Sequence, residues 1–272
     1  MRKILEIITP LLYIIALTTV ALTANIGGYE DFLKTMTQEN GFFESVSVVL
    51  LLGIFAYGLF AIYMYKKVFN IFMLAAVGLF AFLAFLAAME EISWGQHLFH
   101  FQSSSYFVEN NLQKETNLHN FMNANLFSSI IYSTIYTVLV FLPLLYKIFL
   151  KKFNTLEWLH WFDINPHTIL IVLFASSFQI YFYDDIGVVF DMVTLLAAVA
   201  MFGAFLFTQE CTKFLKIHFG FILLSIGVNM LHYEIFNFFN MQYEIREMFV
   251  VLAAMLVFME LIHKQRLSHC DI

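Results

Sequence analysis

Charged residues, prolines and cysteines are all scarce in this chain. Only 12% of the 272 residues are Asp, Glu, Lys or Arg, whereas a soluble domain has about 25%. The low charge excludes a disordered chain. Two cysteines, Cys211 and Cys270, are too few and too far apart for a disulfide scaffold or a thiolate metal site. No glycine-rich phosphate loop is present, so we expect neither a nucleotide cofactor nor a nucleic-acid partner.

Hydrophobic residues, by contrast, are abundant. They account for 61% of the chain, and 34 of them are Phe. A soluble domain of this size could not bury so much apolar surface. Apolar runs of bilayer length recur along the chain, without the short alternating segments of an outer-membrane barrel. The sequence therefore predicts an all-α, polytopic transmembrane helix bundle in which residues 1–272 form a single integral-membrane domain.

Eight apolar runs are long enough for membrane spans, and seven is the alternative count because the fifth run is short. The first run follows Arg2 and Lys3, as in a signal peptide. Its apolar stretch is too long, and no small-residue cleavage site clearly follows it, so we interpret it as a helix. The predicted spans are residues 4–26, 42–65, 69–92, 126–148, 167–183, 187–208, 218–239 and 246–263.

The distribution of charge predicts the orientation. With eight spans and a cytoplasmic N-terminus, 11 of the 14 Lys and Arg residues fall on the inner side. We therefore expect both termini in the cytoplasm and the bacterial cytoplasmic (inner) membrane as the location. By contrast, 14 of the 20 Asp and Glu residues fall on the outer side. Several of these acids lie inside apolar runs, where an ionisable group is costly and indicates a function.

One long polar connection, residues 100–125, lies on the outer side in this topology. Its length of about 26 residues exceeds that of an ordinary helix connection. We predict a functional extracytoplasmic loop that contains a short helix. Alternatively, the loop docks a partner protein, and the chain is a non-catalytic membrane subunit.

The segment A-A-M-E-E-I-S-W-G-Q-H-L-F (87–99) carries the strongest candidate site. If the helix continues past Glu91, then Glu90, Trp94 and His97 share one face at i, i+4 and i+7. Two adjacent carboxylates in a low-dielectric setting are suited to general acid or base chemistry. Alternatively, Glu90 and Glu91 only mark the outer end of the helix.

A second candidate lies in Q-K-E-T-N-L-H-N (113–120). Glu115 and His119 are four residues apart, so a helical turn would bring them together. Such a pair could ligate a metal, or the carboxylate could orient the imidazole. A solvated loop helix is the alternative interpretation.

The remaining candidates lie at the outer ends of other spans. His232 is embedded in an apolar run one turn after Asn229, although a hydrogen-bonded core histidine is the alternative. Glu247 begins the last span beside Arg246, for which an ion pair at the helix end is the favoured role. Asp184 lies in a tight turn, where it could be a plain turn residue.

All of these groups face the outer side under the predicted topology, as a membrane-embedded active site would require. Histidines with carboxylates are suited to Zn²⁺ or another divalent ion. The expected catalytic residues are Glu90, Glu91, Glu115 and His119. The expected metal ligands are Glu90, His97, His119 and His232. The expected pocket residues are Trp94, Gln96, Asn120, Asn229, Asp184 and Glu247.

Two resemblances follow from these motifs. E-E-I-S-W-G-Q (90–96) together with E-T-N-L-H-N (115–120) resembles an uncharacterised family of bacterial polytopic membrane proteins. This resemblance implies that the two motifs belong together. E-E-I-S-W-G-Q-H-L is also similar to the E-E-x-x-x-R helix of the CAAX-protease and bacteriocin-processing family, although Gly95 or Gln96 stands near the place of the arginine. That similarity implies Glu90 as general base, with His119 or His232 holding water or an oxyanion.

The function we predict is a membrane-embedded hydrolase or transferase with an extracytoplasmic Glu and His site. The substrate would be a lipid, a lipid-linked molecule or a membrane-anchored peptide, and a divalent metal could assist. The rival from another class is a transporter or channel with an acidic outer vestibule. A transporter requires polar residues across the midplane, and the sequence has few.

Overall fold

The computed structural model describes residues 41–118, 121, 124–150, 162–176, 178, 186–208, 211–231 and 241–268. Within these ranges the chain is helical and contains no strand, so the prediction of an all-α chain is confirmed for this part. The first predicted span, residues 4–26, lies outside the described residues.

The helices overlap the predicted spans from residue 42 onwards, although the last two begin five residues earlier than predicted. Two short helices lie between the second and third of the long ones. In chain order the helices are α1 (Phe42–Tyr65), α2 (Ile71–Glu91), α3 (Gln96–Phe99), α4 (Ser105–Asn110), α5 (Ala124–Tyr136), α6 (Leu142–Ile148), α7 (Pro166–Ser176), α8 (Ile186–Thr208), α9 (Lys213–Leu231) and α10 (Met241–Ser268). A π-helical stretch, Thr137–Phe141, joins α5 to α6.

Three stretches among the described residues are long and apolar enough to cross a membrane: α1, α2 and Ile130–Ile148. α7 and the part of α8 from Met192 to Thr208 are apolar but shorter. A full set of eight spans stays a prediction.

The start of α2 differs from the predicted boundary at residue 69 for a local reason. The Asn70 side chain accepts a hydrogen bond from the Met73 backbone N–H at 2.8 Å. This is an N-cap, which satisfies a backbone donor that the first helical turn leaves unpaired. The helix therefore begins at Ile71.

The π-helical stretch precedes Pro143, which lies at the start of α6. Proline has no N–H to donate, and its ring crowds the carbonyl one turn earlier in a regular helix. The wider π-helical turn is a recognised way to relieve such crowding. The chain therefore continues through Ile148 without ending at the proline.

α1, α2 and α10 pack closely around a small residue. Gly58 of α1 is buried, and a methyl group added there would lie 2.5 Å from the Ala81 Cβ of α2. The same methyl would lie 3.3 Å from the Phe258 ring of α10. Phe80 stacks on Phe258 with ring centroids 4.7 Å apart. Small residues allow such close approach between membrane helices, where van der Waals packing drives association.

α10 also packs on the second group of helices. Every residue of α7 from His167 to Ser176 is buried, and α7 lies against both α9 and α10. The Phe249 ring of α10 lies 5.0 Å from that of Phe174 in an edge-to-face arrangement. α10 is therefore shared by the two apolar cores, one with α1 and α2 and one with α5 to α9.

One end of the molecule is tied by charged groups. Lys147 and Lys264 both contact Asp163, and Lys264 also pairs with Glu260 at 2.9 Å. The Glu260 carboxylate accepts the backbone N–H of Asn165 at 3.1 Å, just before α7 begins. The end of α6, the start of α7 and the last part of α10 are thereby joined.

The packing at Gly58 yields a first prediction. Gly58→Ala should lower the free energy of unfolding by about 1–3 kcal/mol, because the added methyl overpacks a buried contact between three helices. The measurement is the unfolding midpoint of the purified protein in detergent. Gly53→Ala is the matched control, because the nearest atom there is the end of the flexible Met255 side chain, at 3.8 Å. Equal midpoints for the two variants would contradict this packing.

Candidate functional site

α2 ends in a left-handed turn, not in a further helical turn. Ser93 has φ 46°, Trp94 has φ 55° and Gly95 has φ 84°. For residues other than glycine this conformation is uncommon and costs roughly 1–3 kcal/mol where it is strained. The prediction that Glu90, Trp94 and His97 share one face of a continuing helix is therefore wrong. The turn instead brings the Trp94 indole N–H to the Glu90 carboxylate, at 2.7 Å from Oε1.

The segment 111–118 is a set of turns and bends without a helix. Residues 115 to 118 therefore do not form the predicted helical turn, and this part of the prediction is wrong. His119 lies outside the described residues. The Asn111 side chain explains the local structure. Its Oδ1 accepts the backbone N–H groups of Gln113 and Glu115 at 2.9 and 3.3 Å, and its Nδ2 donates to Asn117. Asparagine offers the backbone this alternative to helical hydrogen bonds.

Hydrogen bonds join the two segments. Ser93 Oγ donates to Glu115 Oε2 at 2.6 Å, and Asn117 Nδ2 lies 3.0 Å from the same oxygen and 3.1 Å from Ser93 Oγ. The Glu90 Oε2 atom accepts the backbone N–H of Leu118 at 2.5 Å. The motifs at 90–96 and 115–118 therefore form one unit. We call it the outer polar network after the side of the membrane that the sequence predicts for it, and it comprises Glu90, Ser93, Trp94, Gln96, Ser103, Asn111, Glu115, Thr116 and Asn117.

Gln96 extends this network to the start of the loop. Its Oε1 accepts the backbone N–H of Thr116 at 2.8 Å and the Ser103 hydroxyl at 2.9 Å. Ser103 Oγ also lies 3.0 Å from Thr116 Oγ1. The role of Gln96 as a pocket residue stays a prediction; in the structure its side chain joins the turn after α2 to the loop.

The sequence interpretation missed several members of the network. Ser93 and Asn117 are 0% and 1% exposed, and Asn111 is 5% exposed. Small polar residues attract little notice next to carboxylates and histidines. The only indication of their role was their position in the sequence. Ser93 and Asn117 lie inside the two quoted motifs, and Asn111 begins the segment 111–118.

Glu91 lies in different surroundings from its neighbour Glu90. The carboxylates of Glu247, Glu44 and Glu244 act on it electrostatically, in that order of strength. We call these four residues the acidic helix-end group, because they lie at the start of α1, the end of α2 and the start of α10. Glu91, Glu44 and Glu244 are half-buried and Glu247 is exposed.

Arg246 provides positive charge beside this group. It is fully buried, and its guanidinium carbon lies 3.2 Å from the centre of the Tyr132 ring on α5. Its charge also acts on Glu247. The stacking on Tyr132 is a cation–π contact, which is stronger in a desolvated setting.

The structure thus divides the predicted site residues into three sets. Glu90, Trp94, Gln96 and Glu115 belong to the outer polar network. Glu91 and Glu247 belong to the acidic helix-end group. Predicted residues that lie outside the described ones are His119, Asn120, Asp184 and His232, and the same holds for the side chains of His97 and Asn229.

No group of three or more His, Cys, Asp or Glu side chains is arranged to hold a metal ion among the described residues. The carboxylates of the two groups nonetheless differ in what they can do chemically. Those of Glu90 and Glu115 each accept two hydrogen bonds and hold the loop. Those of Glu91 and Glu247 come from different helices and could exchange protons with a substrate.

Comparisons of the chain with protein-family models, curated proteins and solved structures returned no match.

The outer polar network yields a second prediction. Asn117→Ala removes the amide that contacts Asn111, Ser93 and Glu115, and leaves buried polar groups without those bonds. The variant should lose about 1–3 kcal/mol of stability, and the backbone amides of 111–118 should exchange hydrogen faster. Hydrogen-exchange mass spectrometry in nanodiscs measures this.

Asn110→Ala is the matched control for Asn117→Ala. Asn110 is exposed, and its amide donates to Tyr106 O of its own helix. The free energy of unfolding of the Asn110→Ala variant should stay within about 0.5 kcal/mol of that of the parent protein. Unchanged exchange in Asn117→Ala would show that the network does not hold the loop.

Proposed function

We propose that the chain is a membrane-embedded hydrolase or transferase that acts at the extracytoplasmic leaflet. Its substrate is a lipid, a lipid-linked molecule or a membrane-anchored peptide. The observation that carries the proposal is the acidic helix-end group, in which Glu91 and Glu247 from different helices lie within electrostatic reach at the end of a membrane-length helix.

Glu91 and Glu247 form the acid and base of this proposal. One carboxylate takes the proton of a water or an acceptor hydroxyl as that oxygen attacks the substrate. The other, in its protonated form, gives its proton to the leaving group. Neighbouring carboxylates repel each other when both are ionised, and such pairs are suited to these two roles. Glu90 serves differently, because its two oxygens already accept the Trp94 and Leu118 N–H groups.

The backbone of the turn after α2 also supports a functional site. Consecutive left-handed residues, Ser93 and Trp94, persist because the outer polar network holds them in place. Strained backbone of this kind is concentrated at functional sites, where the surrounding structure fixes it. Trp94 is 39% exposed, and its indole N–H donates to Glu90.

The topology proposed with this activity has eight spans and both termini in the cytoplasm of a bacterial cell. Two groups of charges support it. Lys147, Asp163, Glu260 and Lys264 meet at the end of α10, whereas Glu44, Glu91, Glu244 and Glu247 meet at its start. The positive-inside rule assigns the lysine-bearing end to the cytoplasm.

The acid and base roles yield a third prediction. In proteoliposomes made from a bacterial lipid extract, the protein should convert a lipid or lipid-linked species, with products detected by mass spectrometry. Glu91→Gln and Glu247→Gln should each reduce turnover at least about 100-fold, because amides neither accept nor release the proton. Unfolding midpoints should be close to that of the parent protein.

Glu109→Gln is the matched control, since Glu109 is an exposed carboxylate on α4. It should keep full turnover. Glu90→Gln should instead loosen residues 111–118, because the weaker amide oxygen replaces a charged acceptor. Full turnover in Glu91→Gln would rule out the proposed role of Glu91 in proton transfer.

A divalent metal is the second part of the proposal. His119 directly follows Leu118, whose backbone N–H binds Glu90. Together with His97 and His232 it would supply imidazole ligands for an ion such as Zn²⁺. A bound zinc ion would polarise the substrate and lower the pKa of a bound water.

The metal yields a fourth prediction. Elemental analysis of the purified protein should find about one zinc or similar ion per chain, and His119→Ala and His232→Ala should each lose it. His263→Ala, at an exposed position near the end of α10, should retain the ion. A metal-free protein with full lipid turnover would restrict the mechanism to the carboxylates.

A transporter or channel is the second candidate function. The acidic helix-end group favours it, because clustered carboxylates attract cations to a pore entrance. Cation flux into liposomes that Glu91→Gln reduces, with no conversion of any lipid, would select this function over catalysis.

A further inference from the structure

The segment between α2 and α5 has an inverted polarity. Its buried side chains are small and polar: Ser93, Asn111 and Asn117 are 0–5% exposed. Most of its large apolar side chains are exposed instead, although Phe107 is half-buried against Phe121. The most exposed are Leu98 (66%), Phe99 (78%), Tyr106 (63%), Leu112 (70%) and Leu118 (63%). Between residues 93 and 118 no large apolar side chain is buried.

A loop surrounded by water would show the reverse arrangement. Exposed apolar surface costs about 25 cal/mol per Å² in water, so five large side chains held outward would be strongly unfavourable there. Large apolar side chains exposed together in one short segment indicate contact with a membrane or another protein.

The position of the segment indicates which of these surroundings applies. It follows directly on α2, a helix long and apolar enough to cross a membrane. Its start is therefore at the level where the hydrocarbon core gives way to lipid head groups. Aromatic residues are enriched at this level, and Phe99, Phe101 and Tyr106 are exposed in the segment.

We propose that residues 96–118 lie in the outer lipid interface, with Leu98, Phe99, Tyr106, Leu112 and Leu118 inserted among the lipids. The polar residues of the segment divide between two roles. The outer polar network satisfies backbone and amide groups internally, as an apolar medium requires. Gln102, Glu109 and Lys114 are exposed and face head groups and water. Amphipathic segments that lie in the membrane plane share this division.

This proposal does not depend on the proposed activity. It concerns where the loop lies, and a lipid-inserted loop would serve an enzyme, a transporter or a subunit equally. Its consequence for the proposed site is that a lipid could reach Trp94 laterally from the bilayer, without leaving it.

Depth-dependent fluorescence quenching tests the proposal. In a Cys211→Ser, Cys270→Ser background, single cysteines at Leu112 and Lys114 are labelled with a nitrobenzoxadiazole dye. The protein is placed in phosphatidylcholine and phosphatidylglycerol nanodiscs. Phosphatidylcholine with a nitroxide near the head group should quench the Leu112→Cys label at least about twofold more than the Lys114→Cys label. Aqueous iodide should show the opposite order.

Leu98→Cys and Gln102→Cys form a second matched pair, which keeps the test valid if one variant does not fold. Leu79→Cys, at an outward position of α2, calibrates quenching from the bilayer. Strong iodide quenching of the Leu112 and Leu98 labels, with no lipid quenching, would overturn the proposal. Protection of both labels from both quenchers would also overturn it, because a protein partner or a second copy would then cover the segment.

Discussion

One end of the described helices depends on the hydrogen bonds between the turn after α2 and the segment 115–118. Ser93 and Asn117 are buried, and buried polar groups without partners cost about 1–3 kcal/mol each. Ser93 Oγ has its partners Glu115 and Asn117 because the turn meets this segment. The left-handed backbone at Ser93 and Trp94 directs the turn towards the loop. The loop in turn stabilises this strained backbone through its hydrogen bonds.

The same turn gives two neighbouring carboxylates different surroundings. Successive residues of a helix point about 100° apart. Glu90 therefore faces the loop, where Trp94 and Leu118 bind it, whereas Glu91 faces the starts of α1 and α10. Adjacent residues of the same type thus differ in their contacts: Glu90 accepts hydrogen bonds that hold the loop, whereas Glu91 is influenced by the carboxylates of two other helices.

Hydropathy predicted the long helices well, because a bilayer-length apolar run has few alternatives to a helix. The α1 boundaries, residues 42 and 65, agree with the predicted span. Prediction was poorer at the site. Neither Ser93 nor Trp94 signals a left-handed turn, and only Gly95 does. The spacing of Glu115 and His119 indicated a helix, but the Asn111 side chain competes successfully for the backbone N–H groups there.

Composition and hydropathy alone predicted that the chain is helical and that some helices are of membrane length, and both predictions hold for the described residues. These properties follow from residue types and their order, because they reflect solvation along the chain. The residue with which each acid interacts depends on the tertiary structure. Glu115 lies 22 residues after Ser93 and Glu247 lies more than 150 residues after Glu91, and packing between distant helices leaves no local trace by which such pairs could be matched.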